Sequence, residues 1–418
     1  MNRKWIVPLI LVIFALTAFP VAVSAEGLYA NPPVGKGNIK VGPLEVHPSI
    51  GVTGTYTDNV YQNYDGKEKE SSFITTVSPA LQLILPFAGR HNVQAGYLAD
   101  INRYSNFSEN DYVRQTANAS VNLDFPGGLL FTVSDVFVAS EVIRRWKEQP
   151  GLGGGNDPYR AKPYNSNDFL TKAKYQFAER WAAALWYNFY KYDYDKEYDK
   201  TGSYDRHLGG TSLFYRFTPR TDALLEYQYS TVKYPDNRFY DNKNNTVYVG
   251  VGFDPSAMIN GYAKVGWTQK KYDEKFAGKD DEFNTFSAQI DLGYNITPND
   301  VVNFRGIRVI DEDLDTNAPY TRSDVSIGYS HIMSMNNKIR PNARVGYAKH
   351  EFDGWATDVN GALKQRDDKV LYATVGVDYA MQPWLMWSLG YTYRNQDSNF
   401  IRYDYDENRV FLNATLAF

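Results

Sequence analysis

Apolar residues recur at every second position along most of the chain. In residues 73–85, Phe73, Val77 and Leu81 share one face, whereas Thr76 and Gln82 fall on the other. A period of two residues is typical of a β-strand whose two faces meet different surroundings. The same alternation recurs in residues 50–56, 93–99, 117–125, 169–177, 211–217, 223–229, 247–253, 263–267, 288–294, 325–329, 343–347, 371–379 and 385–393. The pattern therefore predicts an all-β chain of many strands.

The connections between these segments alternate strictly between short and long. The short ones are Pro86–Arg90, Pro126–Gly128, Ala178–Arg180, Thr218–Thr221, Asp254–Met258, Thr297–Asp300, Met333–Lys338 and Gln382–Pro383. The long ones lie near residues 62–70, 105–111, 142–164, 193–204, 234–244, 272–283, 311–320, 350–368 and 396–405. Strict alternation predicts an up-and-down antiparallel barrel of about 18 strands, with all short turns on one rim. A soluble propeller would instead repeat a motif every four strands.

The beginning of the chain suggests a secreted protein with a short segment before the barrel. Residues 1–25 begin with Arg3 and Lys4, continue through an apolar run from Trp5 to Phe19, and end in small residues, which is the layout of a cleaved signal peptide. We expect residues 26–43 to form a short periplasmic segment and residues 44–418 to form the barrel. A plug domain would need a much longer segment before the first strand, so we expect the lumen to be unplugged.

Composition indicates that the barrel crosses a membrane. The mean hydropathy is −0.49, yet aromatic residues make up 16% of the chain and 34 of its residues are tyrosine. After residue 25 no apolar run is long enough for a membrane helix, which needs about 20 residues. Apolar residues hidden in alternation instead predict one lipid face and one wet face. A barrel this wide encloses an aqueous lumen, so transport is the expected role.

The last strand, Val410–Phe418, ends on an aromatic residue. It resembles the closing strand of bacterial outer-membrane barrels, in which a terminal aromatic acts as an assembly signal. We expect Leu412, Leu416 and Phe418 to face lipid and the strand to pair with the first strand near residues 50–56. Outer-membrane lipids are therefore the first expected partners, and the oligomeric state stays open.

Charged residues fall opposite the apolar faces and are expected to line the lumen. A lysine or arginine on the lipid face costs about 2–4 kcal/mol at the membrane midplane, so these side chains should point inward. The basic candidates are Arg114, Lys172, Lys174, Arg216, Lys264, Arg305 and Arg344, and the acidic ones are Asp100, Glu226, Asp291 and Asp378. They form either an ordinary polar interior or a basic stripe that selects anionic solutes.

The start of the predicted barrel resembles the β-barrel porin 2 family. The matching pieces are His47–Ile50, Tyr56–Tyr61, Thr76–Leu81, Arg90–Val93 and Tyr97. The resemblance implies a bacterial outer-membrane barrel of the kind encoded with exopolysaccharide biosynthesis and export systems. It implies a polysaccharide substrate, and periplasmic or inner-membrane export components as partners. No catalytic residues belong to the family pattern.

Three functions are consistent with the sequence. Export of an exopolysaccharide is the leading one, and passive diffusion of small hydrophilic solutes is the main alternative. A surface adhesin or receptor acting through tyrosine- and acid-rich loops is the third. The five histidines are scattered and form no nucleophile or metal-binding motif, so we expect neither enzymatic activity nor a cofactor or metal. A net charge of −4 also gives no reason to expect a nucleic-acid partner.

Overall fold

The computed structural model describes residues 39–64, 66–142, 162–195, 200–274, 282–312, 319–333, 337–357 and 361–418. The predicted signal peptide, residues 1–25, and residues 26–38 of the expected periplasmic segment lie outside this range. In the described part of the chain, no helix is long and apolar enough to cross a membrane.

The described residues form nineteen β-strands and four single 3₁₀ turns. The strands are β1 (Ile39–Val41), β2 (Leu44–Thr57), β3 (Ser72–Phe87), β4 (His91–Tyr104), β5 (Tyr112–Phe125), β6 (Leu129–Val142), β7 (Lys162–Gln176), β8 (Trp181–Tyr194), β9 (Tyr204–Thr218), β10 (Thr221–Lys233), β11 (Asn242–Phe253), β12 (Ile259–Tyr272), β13 (Glu282–Thr297), β14 (Asp300–Glu312), β15 (Pro319–His331), β16 (Ile339–Thr357), β17 (Leu363–Gln382), β18 (Leu385–Ser398) and β19 (Tyr405–Ala417). The 3₁₀ turns, Ser108–Asn110, Lys200–Gly202, Arg238–Tyr240 and Ile401–Tyr403, lie in long connections.

Strands β2 to β19 close into a single antiparallel ring. Each pairs with its neighbours in sequence, and β19 pairs with β2 from Arg409↔Thr57 to Ala417↔Ser49. The backbone N–H of Phe418 donates to the carbonyl of Pro48 at 3.0 Å, and its ring stacks on Trp384. The prediction of an 18-stranded up-and-down barrel is confirmed. The short β1 lies outside the ring and forms a hairpin with the start of β2.

Short turns and long connections lie on opposite rims, which we call the periplasmic and the extracellular rim. The turn from β11 to β12 shows how a short turn is held: the Ser256 hydroxyl and the Ser256 backbone N–H both donate to Asp254. These two hydrogen bonds hold the pKa of the Asp254 carboxyl below its ordinary value.

One predicted loop is largely strand. The connection expected near residues 350–368 contains the ends of β16 and β17, which pair out to Thr357↔Leu363. These two strands are the longest, at 19 and 20 residues, and extend the wall beyond the extracellular rim. Alternation is lost there because a register shift falls between Glu351 and Trp355, so the sequence pattern looked like a loop. The longest predicted loop, 142–164, lies mostly outside the described residues.

Other register shifts lie close to the periplasmic ends of strands. They fall at Thr221/Asp222, Asn295/Thr297 and Ala380/Gln382. A bulge reverses the facing of every residue beyond it. Because these bulges lie at strand ends, the alternation read from the sequence holds through the middle of the wall.

We expect Gly261→Ala to destabilise the barrel. Gly261 has a φ of +101°, and a Cβ atom there would lie 2.0 Å from the backbone oxygen of Asp291. Strain of this kind costs about 1–3 kcal/mol, and the clash with a backbone atom adds to it. The folded fraction can be measured from heat-modifiable migration on SDS gels over a urea series. Gly252→Ala is the control, since nothing lies within 4 Å of its added Cβ; equal losses for the two variants would contradict the prediction.

Candidate pore lining

Alternate residues of each strand face outward and inward, and their exposure separates the two faces. On β10, Leu225 is 52% exposed and the next residue, Glu226, is 4% exposed. On the paired strand β11, Val249 is 53% exposed and Tyr248 is 2% exposed. Large apolar side chains thus cover the outer face, as expected for a surface in contact with lipid. The opposite face is the lumen face.

All eleven charged candidates predicted from the sequence fall on the lumen face by this register. They are Arg114, Lys172, Lys174, Arg216, Lys264, Arg305, Arg344, Asp100, Glu226, Asp291 and Asp378. Asp100 lies across from Arg114, and Arg216 across from Asp222. Their role in conduction stays a prediction. Leu412, Leu416 and Phe418 lie at the closing strand, with Leu412 and Phe418 each 48% exposed on the outer face.

A buried polar cluster on the lumen face is centred on Glu226. Its carboxylate accepts hydrogen bonds from Lys264 Nζ at 2.7 Å, Gln228 Nε2 at 2.6 Å and Ser212 Oγ at 3.0 Å. The side chains of Glu226 and Lys264 are 5% and 3% exposed. Lys264 Nζ also lies 4.7 Å from the ring centroid of Tyr248. A carboxylate removed from water in this way is stabilised by its counter-ion and by its full set of donors.

Two further lysines lie close to this cluster, and each interacts with a different carboxylate: Lys172 with Glu226 and Lys174 with Asp222. Lys172 interacts electrostatically with Glu226, and with Lys174 and Lys264 as like charges. Lys174 Nζ lies 4.5 Å from the ring centroid of Phe214, beside the cluster. Three lysines and Arg216 thus share this wall with two carboxylates, Glu226 and Asp222, which leaves an excess of positive charge that attracts anions.

Packed tyrosine rings occupy the extracellular half of the lumen face on β7 to β9. The ring of Tyr192 stacks on Tyr164, with centroids 4.7 Å apart, and lies 6.0 Å from Tyr204. Tyr190 and Tyr194 complete the cluster, and all but Tyr204 are almost fully buried. Rings this buried brace the wall rather than present a surface to a solute. The sequence did not predict this inward group, because its ring-to-ring contacts join neighbouring strands.

The wall from β14 to β19 carries a second set of basic residues, most of which the sequence prediction missed. Arginines face the lumen at positions 305, 322, 340, 344, 366, 394 and 409, whereas carboxylates in the same strands do so at 311, 324, 368, 378 and 407. Arg409 pairs with Glu407 at 2.6 Å and Arg305 with Asp291 at 3.3 Å. Arg344 makes no ion pair with a described residue. Arginines 366, 394 and 409 could have been found by extending the two-residue period past the predicted loop boundaries.

Among the described residues, no group of three or more histidine and acidic side chains could hold a metal ion.

A comparison with known protein families agrees with the barrel fold and its charged interior. A family model described as "Putative beta-barrel porin 2" matches residues 32–141 and 212–418. The chain belongs to this family. Family membership and the closed barrel place this porin in the bacterial outer membrane and make it a porin-like channel. No curated protein matches its sequence.

Solved outer-membrane barrels are similar to this porin at low sequence identity. OccK2 (OpdF) of Pseudomonas aeruginosa has a TM-score of 0.50 and 11% identity, with 89% of this chain and 98% of that chain covered. OpdK of the same organism has a TM-score of 0.46 and 12% identity, with 89% and 99% covered. The alcaligin receptor FauA of Bordetella pertussis has a TM-score of 0.42 and 12% identity, with 91% and 77% covered. At 11% identity, the likeness to OccK2 concerns the fold alone.

Proposed function

We propose that this porin mediates passive diffusion of small hydrophilic solutes across the outer membrane, with a preference for anions. The observation that carries the proposal is the excess of basic over acidic side chains on the lumen face. It occurs on two walls: the lysines and Arg216 near Glu226 and Asp222, and the arginines of β14 to β19. A charged, low-dielectric channel concentrates ions of opposite sign and raises their rate of entry.

Arg344 supports the preference for anions most directly. Its guanidinium group makes no ion pair with a described residue; Asp291 and Asp324 act on it only at longer range, and Arg305 lies nearby as a like charge. A passing carboxylate or phosphate would supply the bidentate partner that the wall lacks. An arginine that pairs with a carboxylate, as Arg409 does with Glu407, attracts a passing anion less, because the two charges largely cancel.

Export of an exopolysaccharide, which the family resemblance implied, stays a prediction, as do the expected export partners. It differs from the diffusion proposal in the size of the solute that passes. The adhesin or receptor alternative predicts ligand binding by the extracellular loops without any dependence on the lumen charges.

Proteoliposome swelling tests the proposal. With the purified porin, we expect a sugar acid to enter several-fold faster than a neutral sugar of the same size, because the lumen attracts anions. Arg344→Gln together with Arg340→Gln should reduce this advantage and leave the neutral sugar unaffected. Arg308→Gln is the control: Arg308 faces outward on β14, where it contacts Glu351. Equal rates for acid and neutral sugars would overturn the preference, and no entry of any small solute would overturn the diffusion function.

A further inference from the structure

The first extracellular connection, between β2 and β3, is folded against protein. Residues 59–63 of this connection are all buried, and within the ranges that the structure describes no other stretch has five buried residues in succession. Connections at the rim of a barrel are ordinarily exposed to water, because their backbone groups need hydrogen-bond partners. This segment is instead enclosed by neighbouring residues. We call residues 59–63 the inner loop.

One side of the inner loop contacts the lumen face of β19. Gln62 Nε2 donates to Glu407 Oε2 at 3.4 Å, and Thr57 Oγ1 donates to the other oxygen of the same carboxylate at 2.8 Å. Glu407 faces the lumen together with Arg394, its register partner on β18. The chain therefore turns toward the inside of the barrel after it leaves the wall at Thr57.

An aromatic contact links the inner loop to the connection between β4 and β5. The rings of Tyr61 and Phe107 meet edge to face, with their centroids 5.2 Å apart. Phe107 packs in turn against a buried cluster on the lumen face, which consists of Ile74, Tyr104 and Tyr112. The inner loop and its contacts thus extend across the lumen face from β19 to β4.

Hydrogen bonds hold the inner loop in this position. Asn59 Nδ2 donates to the backbone oxygens of Asn63 and Asp406, both at 2.9 Å, and Asn59 Oδ1 accepts from the backbone N–H of Asn63 at 2.8 Å. The backbone N–H of Val60 donates to the carbonyl of Glu70 at 2.8 Å. The buried amide of Asn59 therefore closes the loop on itself and ties it to β19.

The backbone of the inner loop is strained at Gln62. This residue has a φ of +51°, in the left-handed region that residues other than glycine rarely adopt. Its N–H donates to the carbonyl of Asn59 at 3.1 Å, so the strained residue ends the turn that brings the chain back toward the wall. Strained conformations persist where the surrounding contacts hold them, and they are frequent at functional sites.

We propose that the inner loop constricts the extracellular mouth of the channel and sets the largest solute that passes. The proposal rests on the diffusion function and adds the segment that limits its substrates by size. The side chains of an 18-stranded wall do not fill the lumen by themselves, so a segment held inside the ring reduces the open cross-section. Asn59 and Tyr61 are positioning residues, because they fix the loop through Asn63, Asp406 and Phe107.

Single-channel conductance and the entry of neutral sugars of increasing size into proteoliposomes test the proposal. Tyr61→Ala removes the ring that contacts Phe107, and Asn59→Ala removes the hydrogen bonds that close the loop. With either variant we expect the conductance to rise about twofold, because the mouth is wider. A trisaccharide should enter several-fold faster than with the parent porin, whereas the entry of a monosaccharide should change little.

Phe239→Ala is the matched control, because Phe239 is an exposed aromatic residue of the extracellular connection between β10 and β11. It should leave the conductance and the size limit unchanged, and migration on SDS gels shows that each variant forms the barrel. Parent-like conductance and trisaccharide entry in both inner-loop variants, or an equal rise with Phe239→Ala, would refute the constriction. If the parent admits no sugar of any size, the diffusion function fails instead, whereas a rise in conductance of the inner-loop variants still supports the constriction.

Discussion

Replacing Lys172 and Lys174 by glutamate should move the ion selectivity of the channel toward cations. Both lysines face the lumen on β7, next to the cluster around Glu226. The double change replaces two positive charges by two negative ones on a wall whose two nearby carboxylates, Glu226 and Asp222, are already paired with Lys264 and Arg216. We expect the ratio of chloride to potassium permeability to fall about tenfold.

The measurement is the reversal potential of purified channels in a planar bilayer under a salt gradient. The shift should be largest at low ionic strength, because the screening length falls from about 10 Å at 0.1 M salt to about 3 Å at 1 M. Lys191→Glu with Lys369→Glu is the control: it makes the same change in net charge on the outer face. An unchanged reversal potential in the Lys172 and Lys174 variant would place these lysines outside the conduction path.

Removing the carboxylate of Glu226 alone should strongly destabilise the barrel. The Glu226→Leu variant leaves Lys264, whose side chain is 3% exposed, without its counter-ion. An uncompensated buried charge of this kind typically costs about 3–5 kcal/mol. The double variant with Lys264→Met removes both charges and should recover most of that loss, because a buried ion pair contributes little net stability over apolar residues of similar size.

Urea unfolding of the refolded porin in detergent micelles gives the free energies for this cycle. The pair Arg216 and Asp222 serves as a control, since its side chains are 44% and 20% exposed and its contact is 3.0 Å. Asp222→Leu should cost less than about 1 kcal/mol. If Glu226→Leu and the double variant lose equal stability, the interaction between Glu226 and Lys264 is not what holds this wall.

The lumen candidates show where sequence-based reasoning succeeds. Lys172 and Lys264 could be assigned to one face because alternation is a local property of a strand and because bulges fall at strand ends. Their grouping could not be predicted, since Lys264 and Glu226 are on different strands and 38 residues apart. Which residues meet across strands depends on register, and register is fixed by the closure of the whole ring.

Asp135 on the outer face is a residue whose position the sequence pattern could not predict. The sequence pattern of β6 does not assign Asp135 to a face, because apolar residues such as Val136 and Val138 occupy the inner face as well as the outer one and the alternation is weak. Its position follows from its register with Ala119 and Phe169 on the neighbouring strands. The same holds for the tyrosine cluster, whose members come from neighbouring strands.

By itself, the sequence determined that this chain is an outer-membrane barrel of 18 strands, with both faces of the middle wall assigned and β19 as the closing strand. Strand period and turn length are local features, so the printed residues carry them. Only the tertiary structure decided which charges neutralise each other, which arginines remain available to a solute, and that the carboxylate of Asp135 lies on the outer face. Those features depend on the shear of the closed ring, to which every strand pair contributes.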